Sequence, residues 1–248
     1  MIRRAVLKLG AMMGFGAMPP ALAAPEAPEP VSDRVLRDRF WARFGTVIDA
    51  FEVEPFNPFF AAYPKWPGRV QRFRLLARRG GGRIAYTDGL SDAYADPAQG
   101  AGGPESGLGL ELYLETEDEV GSINQGWAVN LLLELARLAV NHGALRARLR
   151  EQPYLTVQLD MVGAPQEWSL DHPDGNIGIF LGLSNPELPA EVALSEGGFA
   201  PVNAKLMRPE ELRYALEHGA AGRAELARLY AGAAGRQRLS DLERLPVV

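Results

Sequence analysis

"LGLELYLE", residues 108–115, alternates without a break. Leu108, Leu110, Leu112 and Leu114 share one face of an extended chain, and Gly109, Glu111, Tyr113 and Glu115 share the other. Side chains on a strand point to opposite sides at each step, so a period of two demands a strand with one apolar face on a core. A helix would scatter the four leucines around its circumference. Other segments fit around this strand. "VQRFRLLARR" (70–79) and "RIAYTD" (83–88) flank Gly80-Gly81-Gly82 and read as a hairpin. "YLTVQLDMVG" (154–163) and "NIGIFLGLS" (176–184) read as two more strands, and "PVNAKLM" (201–207) as a short one.

Helical periodicity is clearest in "NQGWAVNLLLELARLAVNHGALRARL" (124–149). Trp127, Leu131, Leu135, Leu138 and His142 fall on one stripe, and Gly143 is a natural stop. "SDRVLRDRFWARFGTVIDAF" (32–51) reads as a first helix, with Ser32 or Asp33 at its cap. "RPEELRYALEHG" (208–219) has its proline and acids in the first turn and His218 in the last. "RAELARLYAGAAG" and "LSDLERL" read as terminal helices. The expected count is about six strands and four or five helices. Strands cluster before helices, with short connections between adjacent strands. The expected fold class is therefore α+β: a mixed, largely antiparallel sheet flanked by helices.

The N-terminus has its own logic. Arg3, Arg4 and Lys8 precede an apolar stretch from Leu9 to Met18, and Ala21-Leu22-Ala23 supplies a small-residue cleavage signal after Ala23. This is the layout of an export signal, and Arg3-Arg4 gives it a twin-arginine character. The apolar run is shorter than the roughly 20 residues that span a bilayer. The expectation is an exported, periplasmic protein with no stable membrane insertion once residues 1–23 are removed. Residues 24–33 form a flexible lead-in, 34–67 a helix and an aromatic, proline-rich wrap, and 221–248 a helical tail.

The formal net charge is −5, and it becomes −8 without the leader, which carries three positive and no negative side chains. An acidic chain without a basic block is a poor match for nucleic acid and favours a basic partner. Cysteine is absent, which excludes disulfides and thiolate metal sites.

Three groups of residues invite a chemical role. Ser91 lies in "GLSDA" (89–93), one residue short of the elbow that presents a catalytic serine, but the required following helix is replaced by Pro97 and a glycine-rich run. His142, His172 or His218 would have to complete a periplasmic serine hydrolase. "DHPDGN" (171–176) gathers oxygen and nitrogen ligands at spacings unlike a calcium loop, and reads as a turn. Glu111 and Glu115 sit on one strand face about 13 Å apart, too far for a catalytic pair, and read as part of a solvated face. No glycine-rich phosphate loop stands up. The expectation is no cofactor, no metal and no catalytic residue. Ser91 reads as a turn residue: short polar side chains beside Gly89 bond their own backbone.

Several of these motifs fall into one order. Thr87-x-Gly89-Leu90-Ser91-Asp92 ends a strand; Gly109-Leu110-Glu111-Leu112 opens an amphipathic one; "WAVNLLLELARLAV" follows, and later "PVNAKLM" leads into "RPEELRYALEHG". Over residues 68–220 this arrangement resembles the suppressor of fused domain family in its bacterial branch. The resemblance implies a compact α/β domain that binds a protein or peptide partner and is not an enzyme; bacterial relatives include immunity proteins of toxin systems. It makes Thr87, Asp88, Ser91, Asp92, Glu111 and Glu115 candidate partner-binding residues.

Overall fold

The computed structural model describes residues 32–54, 66–94, 107–120, 123, 126–160, 165–170, 175–232 and 237–248. All of them belong to one compact unit, Val31–Val248. Its elements run in the order α1 (Asp33–Trp41), β1 (Gly45–Val53), β2 (Gln71–Arg78), β3 (Arg83–Asp88), β4 (Leu110–Thr116), α2 (Trp127–His142), α3 (Leu145–Glu151), β5 (Leu155–Leu159), a short 3-10 turn (Gln166–Trp168), β6 (Ile177–Leu181), β7 (Val192–Ala193), β8 (Gly198–Leu206) and α4 (Pro209–Gly232).

The fold is α+β. One eight-stranded sheet has the order β1-β2-β3-β4-β8-β6-β5, with β7 paired to β8. Every pairing is antiparallel except β4 with β8. The β2–β3 hairpin closes through Arg78 N–H to Gly82 C=O at 3.0 Å, and Gly81 and Gly82 both take positive φ.

The leucines of the alternating segment do what their period demands. Leu110, Leu112 and Leu114 pack with Phe73, Leu75, Val202, Ile179 and the stripe Leu131, Leu135 of α2. The other face differs from the sequence expectation: Glu111, Tyr113 and Glu115 are all buried rather than solvated. Alternation marks which residues share a face, but a second layer can cover the polar face as well. Here α1 covers part of it, with Phe40 and Trp41 against Leu76, Tyr86 and Tyr113. Phe180 of β6 packs on α4 through Leu212, Leu226 and Tyr230.

Two further expectations are corrected. The helix expected over 32–51 ends at Trp41, and its second half is β1. Thr46, Val47 and Ile48 are β-branched and pair readily on a pleated surface. Gly45 is needed for close approach, since a Cβ there would meet the Ala77 carbonyl oxygen at 1.9 Å. "LSDLERL" (239–245) is not a helix. Leu239 bridges to Glu115 in parallel, and Ser240 N–H donates to the Glu115 carbonyl at 2.8 Å. The tail thus takes a place beside β4 beyond the point where β8 leaves it, and non-local pairing outweighs helical periodicity. The helix from 209 and the one from 223 join across a break at Gly219, φ 59°. Most of the proline-rich wrap (55–65) and of "DHPDGN" (171–174) lies outside the described residues.

Candidate functional site

Arg37 organises the candidate site. It sits on the inner side of α1, one turn before Phe40 and Trp41, and is fully buried. Its Nε donates to Asp88 Oδ1 at 2.7 Å, its Nη1 to Ser91 Oγ at 3.3 Å, and its Nη2 to Asp92 Oδ1. Arg74 Nε donates to the other Asp88 oxygen at 2.9 Å. Asp92 is the least buried of the group and lies 3.7 Å from Arg72 Nη1.

Glu111 holds the turn from beneath. Its carboxylate accepts the backbone N–H groups of Gly89 at 3.0 Å and Ser91 at 2.9 Å, and the hydroxyls of Ser91 at 2.6 Å and Thr87 at 2.5 Å. Thr87 Oγ1 in turn accepts Leu112 N–H at 2.9 Å. Gly89 takes φ 153°, and a Cβ there would stand 2.9 Å from Gln71 Oε1. Burial pushes the Glu111 carboxyl up to about 7, against the opposing pull of Arg37 and with a further push from Asp88. Burial also works against the Arg37 charge, but Glu111, Asp88 and Asp92 together hold its pKa above the ordinary range.

Glu115 belongs to a separate cluster. It accepts from Arg78 Nη1 and Arg238 Nε, each at 2.9 Å, and from Asn185 Nδ2 at 3.1 Å. A third buried group surrounds Glu211, which accepts from both Arg244 Nη atoms, at 2.6 and 2.5 Å, and from Tyr230 OH at 2.9 Å. Beside it Lys205 donates to the Leu239 carbonyl and stacks 4.8 Å from the Tyr230 ring centroid. Burial, reinforced by Arg244, lowers the Lys205 ammonium to about 7.

The structure therefore brings Thr87, Asp88, Ser91, Asp92 and Glu111 together and leaves Glu115 apart. Sequence reasoning missed Arg37, Arg74, Arg78 and Arg238. One signal was present: Arg72, Arg74 and Arg78 alternate with Phe73 and Leu75 on β2, opposite an acidic β3–β4 pair. The Ser91 hydroxyl, fully buried, donates to a carboxylate and accepts from a guanidinium. No described histidine bonds it; His142 is exposed at the end of α2, and His218 contacts Tyr214 C=O on α4. His172 lies outside the described residues. An elbow nucleophile needs the reverse, an exposed hydroxyl with a base in reach. Among the described residues no group of three or more His, Asp or Glu could hold a metal ion, and no helix is long and apolar enough to cross a membrane.

No family model matches the sequence. Nor does any curated protein. Solved structures do match. A chain of the Sufu–Fu complex crystal structure superposes with a TM-score of 0.51 at 15% identity, covering 88% of this chain and 93% of that one. Drosophila Suppressor of Fused superposes with a TM-score of 0.51 at 14% identity, covering 91% of this chain and 54% of that one. The fold is that of suppressor of fused. A suppressor of fused homologue from Neisseria gonorrhoeae aligns at a TM-score of 0.44 and 15% identity, over 86% of this chain and 93% of that one. This chain spans about half the length of Drosophila Suppressor of Fused. Within this fold, the Arg37 cluster of this chain ties α1 to the turn after β3.

Proposed function

We propose that this chain is a non-enzymatic protein-binding module that takes an extended segment of a partner along the β1 edge of its sheet. One observation carries the reading. Val47 and Ile48 on β1 are 39% and 52% exposed, on an end strand whose ladder runs only to β2 among the described residues. Ile48 is the extra residue at a register shift, since Val47 faces Leu76 and Asp49 faces Leu75. Such a bulge discourages indiscriminate pairing while offering an apolar contact. Edge addition is a recurrent way to bind peptides. The suppressor of fused fold, known from a complex with Fu, supports the same class.

In this reading Asp92 contributes a polar contact near the surface. Thr87, Asp88, Ser91 and Glu111 set the shape of the turn below it, and Glu115 fixes the C-terminal segment. The acidic charge favours a basic partner. Residues 1–23 direct export, with cleavage after Ala23, and the module acts in the periplasm by sequestration, an immunity-type role being one form of it.

The test is affinity capture with residues 24–248 from the envelope fraction, beside a bait carrying Val47→Lys and Ile48→Lys whose fold is verified by circular dichroism. A saturable partner lost on the altered bait supports the reading. A partner that binds both baits equally removes the β1 edge from it.

A further inference from the structure

The open side of β1 has a pattern of its own. Arg79 N–H donates to Phe44 C=O at 3.1 Å, and Gly45 comes next, opposite Arg78. In an antiparallel pair alternate residues bond the neighbouring strand, and those between turn their N–H and C=O outward. Gly45 and Val47 therefore present theirs to the edge. The bulge at Ile48 advances the alternation by one residue, so beyond it Ala50 and Glu52 do the same. The Ala50 N–H is met only by its own Asp49 Oδ1, at 2.8 Å. Thr46, Val47, Ile48, Ala50 and Glu52 are all exposed.

This change of parity selects what can pair. A two-fold axis perpendicular to a sheet keeps each face on its own side. Across such an axis a regular strand pairs only residues an even number of places apart. The bulge reverses that rule for pairs that straddle it. Gly45 and Ala50 lie opposite Arg78 and Arg74, so they share a face although an odd number of places separates them.

We infer that β1 pairs antiparallel with β1 of a second copy of this chain, about a two-fold axis between Val47 and Ile48. Gly45 of each copy exchanges hydrogen bonds with Ala50 of the other, its carbonyl taking the Ala50 N–H from Asp49, which keeps the Ile123 N–H at 3.1 Å. Val47 and Ile48 of both copies meet at the axis and leave water. The same register brings Arg43 of each copy to the level of Glu52 of the other. Arg43 is exposed, lies 5.7 Å from the centroid of its own Phe44 ring, and has no carboxylate partner among the described residues. Glu52 is 56% exposed and touches Arg72 Nε at 3.4 Å, which leaves lone pairs for a second guanidinium. Opposite charges facing across strands stabilise the pairing, and symmetry makes this contact twice. Moving the axis one residue forward sets Ile48 opposite Asp49, and moving it one back sets Arg43 opposite Ala50. The net negative charge of each copy is screened beyond about 8 Å at physiological salt, so the contacts at the edge decide the pairing. The inference rests on the β1-edge reading and names the occupant of that edge when no other strand is bound; a foreign segment binds by displacing the second copy.

The test uses residues 24–248, which keep the whole compact unit Val31–Val248. Sedimentation velocity from micromolar to millimolar concentration is expected to show a reversible monomer–dimer equilibrium. Arg43→Glu and Glu52→Arg each weaken it about tenfold, because each creates two like-charged pairs. The two substitutions in one chain restore it to within about threefold of the parent, because the charges are exchanged. The chain has no cysteine, so Val47→Cys gives a single thiol beside its own copy. Mild oxidation is expected to link that variant into a dimer and to leave Leu216→Cys, on the exposed side of α4, unlinked. A chain that stays monomeric at millimolar concentration overturns the inference, as does a dimer indifferent to both charge substitutions. Either result leaves the edge reading standing if the Val47→Lys and Ile48→Lys bait still loses its partner. A partner that binds that bait as well as the parent removes the edge reading whatever the chain does alone.

Discussion

Arg37 Nε donates to Asp88 Oδ1 at 2.7 Å across 51 residues of sequence, and both side chains are 1% exposed. This contact fixes α1 on the face of the sheet opposite α2. It also completes the pairing of a buried carboxylate whose other oxygen accepts from Arg74 Nε at 2.9 Å. Breaking a buried pair by removing one partner costs about 3–5 kcal/mol, because the remaining charge keeps its desolvation penalty. Arg37→Met should therefore lower Tm by roughly 10 °C, at about 2–4 °C per kcal/mol for a chain of this size. Arg37→Lys should recover only part of the loss, since an ammonium cannot reach Asp88, Ser91 and Asp92 with one planar fork. Thermal unfolding of the two variants measures this; an Arg37→Met protein as stable as the parent would show that the cluster contributes no net stability.

Glu111 and Lys205 give the protein opposite pH dependences on the two sides of neutrality. The folded Glu111 carboxyl is raised from 4.5 to about 7, so the folded state binds more protons than the unfolded one between those values. Its contribution is fully present below about pH 4.5 and is lost as pH rises through 7. The folded Lys205 ammonium is lowered from 10.5 to about 7, so there the unfolded state binds more protons. Its penalty is largest below pH 7 and is relieved as pH rises toward 10.5. Glu111→Gln should flatten the fall in stability between about pH 4.5 and 7, and Lys205→Met the rise above pH 7, each by a few kcal/mol. Urea unfolding from pH 5 to 9 reads both slopes; parallel curves for parent and variants would refute the assignment.

Much of this architecture is legible in the sequence because the physics there is local. The leucines at 110, 112 and 114, the Gly80–Gly82 turn and the α2 stripe each declare themselves within a few residues. The misreadings have non-local causes. Residues 45–53 have apolar spacing compatible with a helix, and only the β2 ladder makes them a strand. Glu111 and Glu115 look solvated until α1 and the C-terminal segment are laid over them. Of the candidate site, the turn 87–92 was visible from its short polar side chains and glycine. Arg37 was not, because an arginine on a helix discloses its burial only when its acceptors, 51 to 55 residues away, are known.

Gly89 tests whether the turn tolerates any side chain. Its φ of 153° is one that L-residues rarely adopt, and a Cβ would crowd Gln71 Oε1 at 2.9 Å and the Val70 carbonyl at 3.1 Å. Gln71 itself donates to the Gly89 carbonyl, so the side chain cannot withdraw without losing that bond. Gly89→Ala should cost more than about 1 kcal/mol, beyond the usual gain from restricting the unfolded chain. Chemical denaturation decides it, and a stabilised Gly89→Ala would mean that the turn relaxes around the methyl group.

The C-terminal segment is a structural part of the sheet. Ser240 is fully buried, its Oγ accepts Leu206 N–H at 3.0 Å, and Asp241 Oδ1 accepts Glu117 N–H at 2.8 Å. Arg238 and Arg244 neutralise Glu115 and Glu211 from the same segment. Ser240→Ala leaves one buried N–H unpaired and should cost about 1–3 kcal/mol. Deletion of 237–248 strips two buried carboxylates of guanidinium partners and removes the Leu239 acceptor of Lys205. The truncated chain should therefore lose cooperative unfolding rather than shift its midpoint. Near-UV circular dichroism with thermal scans separates the two outcomes. A sharp transition in the truncated chain would show that β4 and β8 hold together without the residues wedged beside them.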